Sequence, residues 1–234
     1  RRRFLNWGVF HVKHQFSQLW KEVNRCLQQR NALLKRSSVS ETLSQWTASL
    51  VEKSENLDAL RLDYSNRLKQ QFLPLARGLC NVTELDLEYW RGWNESQDLK
   101  YAYEQDLQTD LKRGFTQKGF HRAEIKVTVK GKPVAEVCSR GEAKMLSWAL
   151  ALSQLELLPE QARKNLILLV DDLASEIDPD HRKAITALLC RGNHQIFTTS
   201  TDKATLIESW GEHLGKMFHV KQGIISSIGE DIYD

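Results

Sequence analysis

Nowhere in the 234 residues does a G-x-x-x-x-G-K-[ST] loop occur, so within this chain a nucleotide's phosphates would find neither an amide cradle nor the lysine such a loop supplies. The nearest string, GFTQKGFH, spaces Gly114 and Gly119 suitably but sets Phe120 and His121 where Lys and Ser or Thr belong. Long apolar runs are missing too. None approaches the roughly 18 residues of a membrane-spanning helix, and the opening RRRFLNWGVF has neither the apolar segment nor the small-residue cleavage site of a secretory signal. The expected compartment is the cytoplasm. Cys26, Cys80, Cys138 and Cys190 each stand more than 50 residues from the next, which argues against a C-x-x-C redox motif or a zinc knuckle and reads as four reduced thiols. No internal repeat or low-complexity tract is present.

What is present has the balance of a globular protein, with charged residues at 27% and hydrophobic ones at 41%, enough for a substantial core. The charge is uneven. Residues 1–36 hold nine Lys or Arg against a single acid, Glu22, and the overall net charge of +3 therefore leaves the remainder at −5. A basic segment on a mildly acidic body suits a polyanion partner as well as it suits a solvated helix face. Arg25, Arg30, Lys35 and Arg36 are the candidates for contact with a polyanion's phosphates.

Phe16, Leu19, Trp20, Val23, Cys26, Leu27, Leu33 and Leu34 recur at helical spacing. SSVSE then offers a break and a new start, with Ser38 and Glu41 spaced as a capping box. A second stripe runs through Leu43, Trp46, Leu50, Leu57, Leu60, Tyr64 and Leu68 and is expected to end at Pro74. Two long helices with a short polar turn predict an antiparallel, coiled-coil-like hairpin arm over residues 1–78. Beyond it the period changes. NVTELDLEYW alternates as a strand, SQDLKYAYEQDLQTDLKRG reads as a helix closed by Gly114, and AEIKVTVKGKPVAEVC reads as a hairpin with Val134 to Cys138 as its return strand. From Gly141 onward helices alternate with strands at Leu166–Val170, Gln195–Thr199 and Met217–Val220, so residues 79–234 are expected to be α/β, with a mostly parallel sheet covered by helices.

The stretch NLILLVDDLASEID carries the chemistry. An apolar run from Leu166 to Val170 ends in Asp171 and Asp172, and like charges so close repel and cost desolvation, so packing gives no reason for the pair. Ligands bind at the carboxyl ends of parallel strands. A strand ending in an acid is how nucleoside triphosphatases hold magnesium, a hard cation satisfied by a carboxylate, waters and phosphate oxygens. Thirty-two residues before Asp171, CSRGEAK places Ser139, Arg140, Gly141 and Glu142 at a helix start that follows a strand, where free N–H groups and the helix dipole suit a phosphate. Asp178 closes the loop after the acids.

Signature, acidic strand end and loop, in that order, resemble the ABC-type ATPases of the SMC class. Longer strings narrow this: RRRFLNWGVFHV, QQRNALLK, KGFHRAE, SRGEAK, LLVDDLASEID and QIFTTSTD resemble the RecF family of bacterial recombinational repair proteins over nearly the whole chain. The resemblance implies the C-terminal part of an ABC/SMC-like ATPase head with a helical hairpin arm. It also implies a protein that binds ATP and Mg2+, dimerises on ATP and binds double-stranded and gapped DNA. Such a protein works with RecO and RecR to load RecA at single-stranded gaps, in DNA repair, recombination, replication and the SOS response. The family carries its P-loop near the N-terminus, so this chain, which starts at Arg1, is expected to be a fragment. The parent is then a weak DNA-dependent ATPase, and the chain is inactive alone.

The resemblance assigns Asp171 to the magnesium-linked Walker B acid and Asp172 to the water-activating position, where most ABC ATPases have Glu. Ser139 to Glu142 become the signature that touches a γ-phosphate held by the partner subunit, and Asp178 falls in the loop that crosses the dimer interface. Arg140 stands where the general signature has Gly, and Thr201 stands where the switch histidine is expected. The rival reading is a non-hydrolysing ABC-like scaffold that binds a protein partner through its arm. His11 and His14 in HVKH have no third ligand nearby and read as surface or packing residues. His121 and Arg122 could reach phosphate or serve the fold, and the seven Trp mostly sit in apolar stripes as core.

Overall fold

Thirty-nine residues, Glu41–Leu79, wind into one helix, α3, whose buried stripe organises everything packed on it. The structure is a computed structural model and describes residues 1–36, 40–173, 177–192 and 194–228. The expected cap Ser38 lies outside the described residues; Ser40 starts α3 instead, its hydroxyl accepting from the Leu43 N–H. Pro74 does not end the helix, which continues to Leu79. Burial of Phe72, Ala76 and Leu79 on one face outweighs the roughly 3 kcal/mol a mid-helix proline costs.

Two compact units divide the chain at Pro159 and Glu160. In the first, α1 (Arg2–Val12) and α2 (Phe16–Lys35) precede α3. The expected hairpin of α2 on α3 is present, and α3 also packs against α1, the strand β1 (Leu85–Trp90) and the helix α7 (Arg140–Glu156). Residues 1–78, read from sequence as an arm, thus share one core with the segments that follow them. Gly8 permits the closest approach of α1: any Cβ there would overlap the Tyr64 hydroxyl. Gln154 Nε2 from α7 donates to that hydroxyl at 2.9 Å and to the Phe4 carbonyl at 3.0 Å, tying three helices together.

β1 pairs antiparallel with β2 (Glu124–Val129), Leu85 opposite Val129. The hairpin after β2 closes differently from expectation. Its return, β3, is only Lys132–Pro133, and Val134–Val137 is a short helix, α6. Pro133 has no N–H to extend the ladder and suits the entry to a helix. The helix predicted before Gly114 is split into α4 (Leu99–Gln105) and α5 (Leu107–Arg113), and Gly114 closes α5 in the left-handed region at φ 74°.

In the second unit, α8 (Glu160–Lys164) precedes β4 (Ile167–Val170), which pairs parallel with β5 (Gln195–Thr198), Val170 opposite Thr198. Between them runs α9 (Pro179–Leu189), and α10 (Lys203–Trp210) packs on it. The α/β class is as expected, but parallel pairing among the described residues is confined to β4 and β5. β6 (Met217–Lys221) instead turns back onto β7 (Ile224–Ile228). Gln222 and Gly223, at φ 53° and 79°, make the two-residue turn that favours such a hairpin.

Candidate nucleotide and nucleic-acid sites

β4 delivers the paired acids to the carboxyl end of the parallel pair, as its position in sequence predicts. The strand is less buried than its composition suggests: Val170 is 5% exposed but Leu169 is 79% exposed. Asp171 is exposed. Its Oδ1 accepts from the Thr199 hydroxyl at 2.6 Å, and the same hydroxyl accepts from the Asp172 N–H at 3.1 Å. Thr199, just past β5, is thus the residue that joins the two acids to the neighbouring strand. Sequence reasoning passed over it in favour of Thr201, although the parallel alignment of the two strand ends was a usable signal. Thr201 is exposed, and its side chain makes no hydrogen bond among the described residues.

Asp172 is half-buried and sits at φ 43°, a left-handed conformation that Asp tolerates better than most residues but that still costs roughly 1 kcal/mol or more. Such strain persists only where surroundings impose it, and the N–H bond to Thr199 is one such restraint. Asp178 lies at the N-cap of α9, accepting from the His181 N–H at 3.2 Å and lying 2.6 Å from His181 Nδ1. The N–H bond is the main cause holding its carboxyl below the usual range. Ser175 and Glu176, between the acids and Asp178, lie outside the described residues.

Chemically, Asp171 offers a hard oxygen donor. Its Oδ2 has no hydrogen-bond partner among the described residues, and no cluster of three or more His, Cys, Asp or Glu competes for a metal among them. One carboxylate suits Mg2+, which keeps its waters and takes further ligands from phosphate, better than it suits a cation needing a full protein cage.

The signature candidate lies in the first unit. Ser139 is the N-cap of α7, its Oγ accepting from the Glu142 N–H at 3.2 Å while Glu142 Oε2 accepts from the Ser139 N–H at 2.8 Å. This reciprocal box satisfies two otherwise orphaned donors and lowers the pKa of Glu142. Arg140 and Gly141 are exposed, and a Cβ on Gly141 would meet nothing within 4 Å. The helix start is therefore open to a ligand.

The basic segment resolves into two kinds of residue. Arg25, Lys35 and Arg36 are exposed on α2 without ion pairs among the described residues. Arg30 is not available to DNA: it is 1% exposed, and Nη1 lies 2.8 Å from Asp110, itself 0% exposed. Nη1 also reaches the Thr116 hydroxyl at 2.5 Å, Nε donates to Thr47 at 3.1 Å, and the guanidinium lies over the Tyr103 ring. Burial pushes the Asp110 carboxyl up, opposed by Arg30 and the Gln117 N–H. Sequence did carry the signal, since Arg30 falls four residues after Cys26 and four before Leu34, inside the apolar stripe. His121, also a phosphate candidate, is partly buried with Nε2 3.1 Å from the Thr116 carbonyl. Burial drops its pKa to about 4, so a neutral ring serves the fold.

Among the described residues no helix is long and apolar enough to cross a membrane. No protein-family model matches the chain. It is 38% identical over 230 residues to the DNA replication and repair protein RecF of Stutzerimonas stutzeri, covering 97% of this chain and 62% of that protein. It is 37% identical over 225 residues to the protein of the same name from Chromohalobacter salexigens, covering 95% and 62%. The chain thus spans about three fifths of the length of the curated relatives it matches. Among solved structures, the recombination mediator protein RecF-ATPrS of the RecFOR pathway superposes with a TM-score of 0.78 at 24% identity, over 98% of this chain and 63% of that one. The RecF-ATP structure gives 0.76 at 22% identity, over 98% and 62%. At those identities the superpositions speak for the fold.

Proposed function

Because this chain belongs to the RecF family, we propose that it is the part of a DNA repair ATPase that supplies the signature and the Walker B acid. In this reading the protein dimerises on ATP, binds double-stranded and gapped DNA in the cytoplasm, and with RecO and RecR helps load RecA at single-stranded gaps. The observation that carries the reading is the 38% identity to a curated RecF across 97% of the chain. The Oδ2 of Asp171, unpartnered among the described residues, at a parallel strand end supports it.

Asp171 would hold Mg2+, which when bound neutralises charge on the phosphates. Asp172 orients and deprotonates the attacking water, its carboxylate aimed by the left-handed backbone that Thr199 holds. Ser139, Arg140, Gly141 and Glu142 meet the γ-phosphate bound by the partner subunit. Asp178 lies at the dimer interface, and Thr201 occupies the switch position. Arg25, Lys35 and Arg36 contact DNA phosphates.

The test is made in the intact natural protein. Asp171→Ala loses magnesium-dependent ATP binding, whereas Asp172→Asn, which keeps a side chain tolerant of positive φ, binds ATP, dimerises and does not hydrolyse it. Equal loss of binding in both variants overturns the division of roles. A parent that binds ATP but never turns it over points to the scaffold.

A further inference from the structure

Unpaired cations from two separate elements meet where α2 ends against the turn after α5. Lys35 and Arg36 close α2, and Lys112 and Arg113 close α5, all four exposed. The two ends touch: a Cβ on Gly114 would stand 3.4 Å from Lys35 Cγ and 3.8 Å from its Cα. None of the four makes an ion pair among the described residues, Arg113 donating only to the neutral Gln117 side chain at 2.7 Å. The acids at either end of the first turn of α5 are engaged elsewhere: Asp110 is buried on Arg30 and Asp106 pairs with Lys118.

Two helix C-termini favour some positive charge, which gives each pair a local reason but does not explain the exposed apolar residue that follows α5. Phe115 follows Arg113 by two positions and is 41% exposed. Clustered cations with an exposed ring in the same turn match a nucleic-acid strand, which offers phosphates to the cations and the face of an unpaired base to the ring. An acidic peptide would satisfy the cations and leave the ring in water. The surface is also rigid. The buried Arg30 holds Asp110 and Thr116, and Asn31 Oδ1 accepts from the Thr116 N–H at 2.9 Å and from its hydroxyl at 2.7 Å, so α2 and the turn after α5 are locked together from beneath.

We propose that Lys35, Arg36, Lys112, Arg113 and Phe115 form a nucleic-acid site spanning α2 and α5, with Arg30 as its buried positioning residue. This rests on the DNA-binding reading above and deepens it by adding a second element and an aromatic contact.

The test compares equilibrium binding of a duplex and a single-stranded oligonucleotide across a salt series in the intact protein. Changing Lys35, Arg36, Lys112 and Arg113 together to Gln flattens the slope of log K against log salt by about 0.9 per lost duplex contact and about 0.7 per single-strand contact. Changing Lys130 and Lys132, exposed at the β2–β3 turn, leaves it unaltered. Phe115→Ala weakens single-strand binding about tenfold with the duplex unaffected. If the parent slope is normal and the quadruple variant keeps it, this surface is wrong while the DNA-binding reading stands; a parent with no salt-dependent affinity removes both. Loss of polyglutamate binding with the DNA slope retained reassigns the patch to an acidic protein and overturns the proposal. Equal Phe115→Ala effects on both oligonucleotides overturn the aromatic contact.

Discussion

The unit ending at Pro159 buries two guanidiniums and two carboxylates, whereas the unit after it leaves a sheet face of hydrocarbon exposed. In the first, Arg30, Arg61, Asp58 and Asp110 are all buried, each met by specific partners: Arg61 donates to the Phe120 carbonyl and Asn6 at 2.8 Å, and Asp58 accepts from Tyr89 at 2.8 Å and Arg91 at 2.5 Å. In the second, Ile167, Leu169 and Phe197 share one face of β4–β5 and are all exposed, as are Val220, Ile224 and Ile225 on the last hairpin. Buried ion pairs add little net stability but punish misassembly, because a lone charge left inside is costly. The first unit is thus built for a fixed geometry. The second holds the candidate metal ligand Asp171 on a thin sheet, with its strained residue, Asp172, at the strand end.

The largest effect that would break this contrast lies at the Arg30–Asp110 pair. Removing either partner alone, as Arg30→Ala or Asp110→Ala, is expected to destabilise the protein by about 3–5 kcal/mol, while Arg30→Met with Asp110→Leu recovers most of it. Denaturant titration reads this directly, and a single-variant loss below about 1 kcal/mol would mean the pair organises nothing.

Next in size is a pH effect confined to the first unit. The His121 ring is neutral when folded, with a pKa of about 4 against an ordinary value of 6.5, and its buried Nδ1 has no acceptor among the described residues to receive a proton's hydrogen bond. A group whose folded pKa is depressed gives stability that is full above the unfolded value and fades as pH falls. The window is therefore pH 6.5 down to 4, and the loss reaches up to about 3 kcal/mol. His121→Gln flattens that slope; an unchanged pH profile contradicts the burial argument.

Arg30 also shows what could be read without coordinates. The paired helices, the strand ending in Asp171 and the helix opening at Ser139 were legible because each rests on local periodicity or capping chemistry. Arg30 was misread as a DNA contact because its partner lies 80 residues away, although its place in the apolar stripe was visible. α1 escaped notice because Gly8, which its packing on Tyr64 requires, weakens a helical pattern. The last hairpin escaped because Gln222 is an unusual residue at positive φ.

Smaller again is the cap. Ser139→Ala should cost about 1 kcal/mol through loss of the capping box. Asp172→Gly should change stability by no more than about that and in the opposite direction, by releasing the left-handed strain. A destabilised Asp172→Gly would show that the acid's side chain, and not its backbone, is what the second unit depends on.

The central claim is that Ser139 acts as more than a cap, meeting a nucleotide held by another subunit. ATP-induced dimerisation of the intact protein carrying Ser139→Arg, followed by analytical ultracentrifugation alongside ATP-binding measurements, tests it most directly. The account predicts monomers that bind ATP with parental affinity and do not dimerise, and a mixture with Asp172→Asn that pairs more weakly than Asp172→Asn alone but better than Ser139→Arg alone. Ser139→Arg dimerising on ATP like the parent would contradict it.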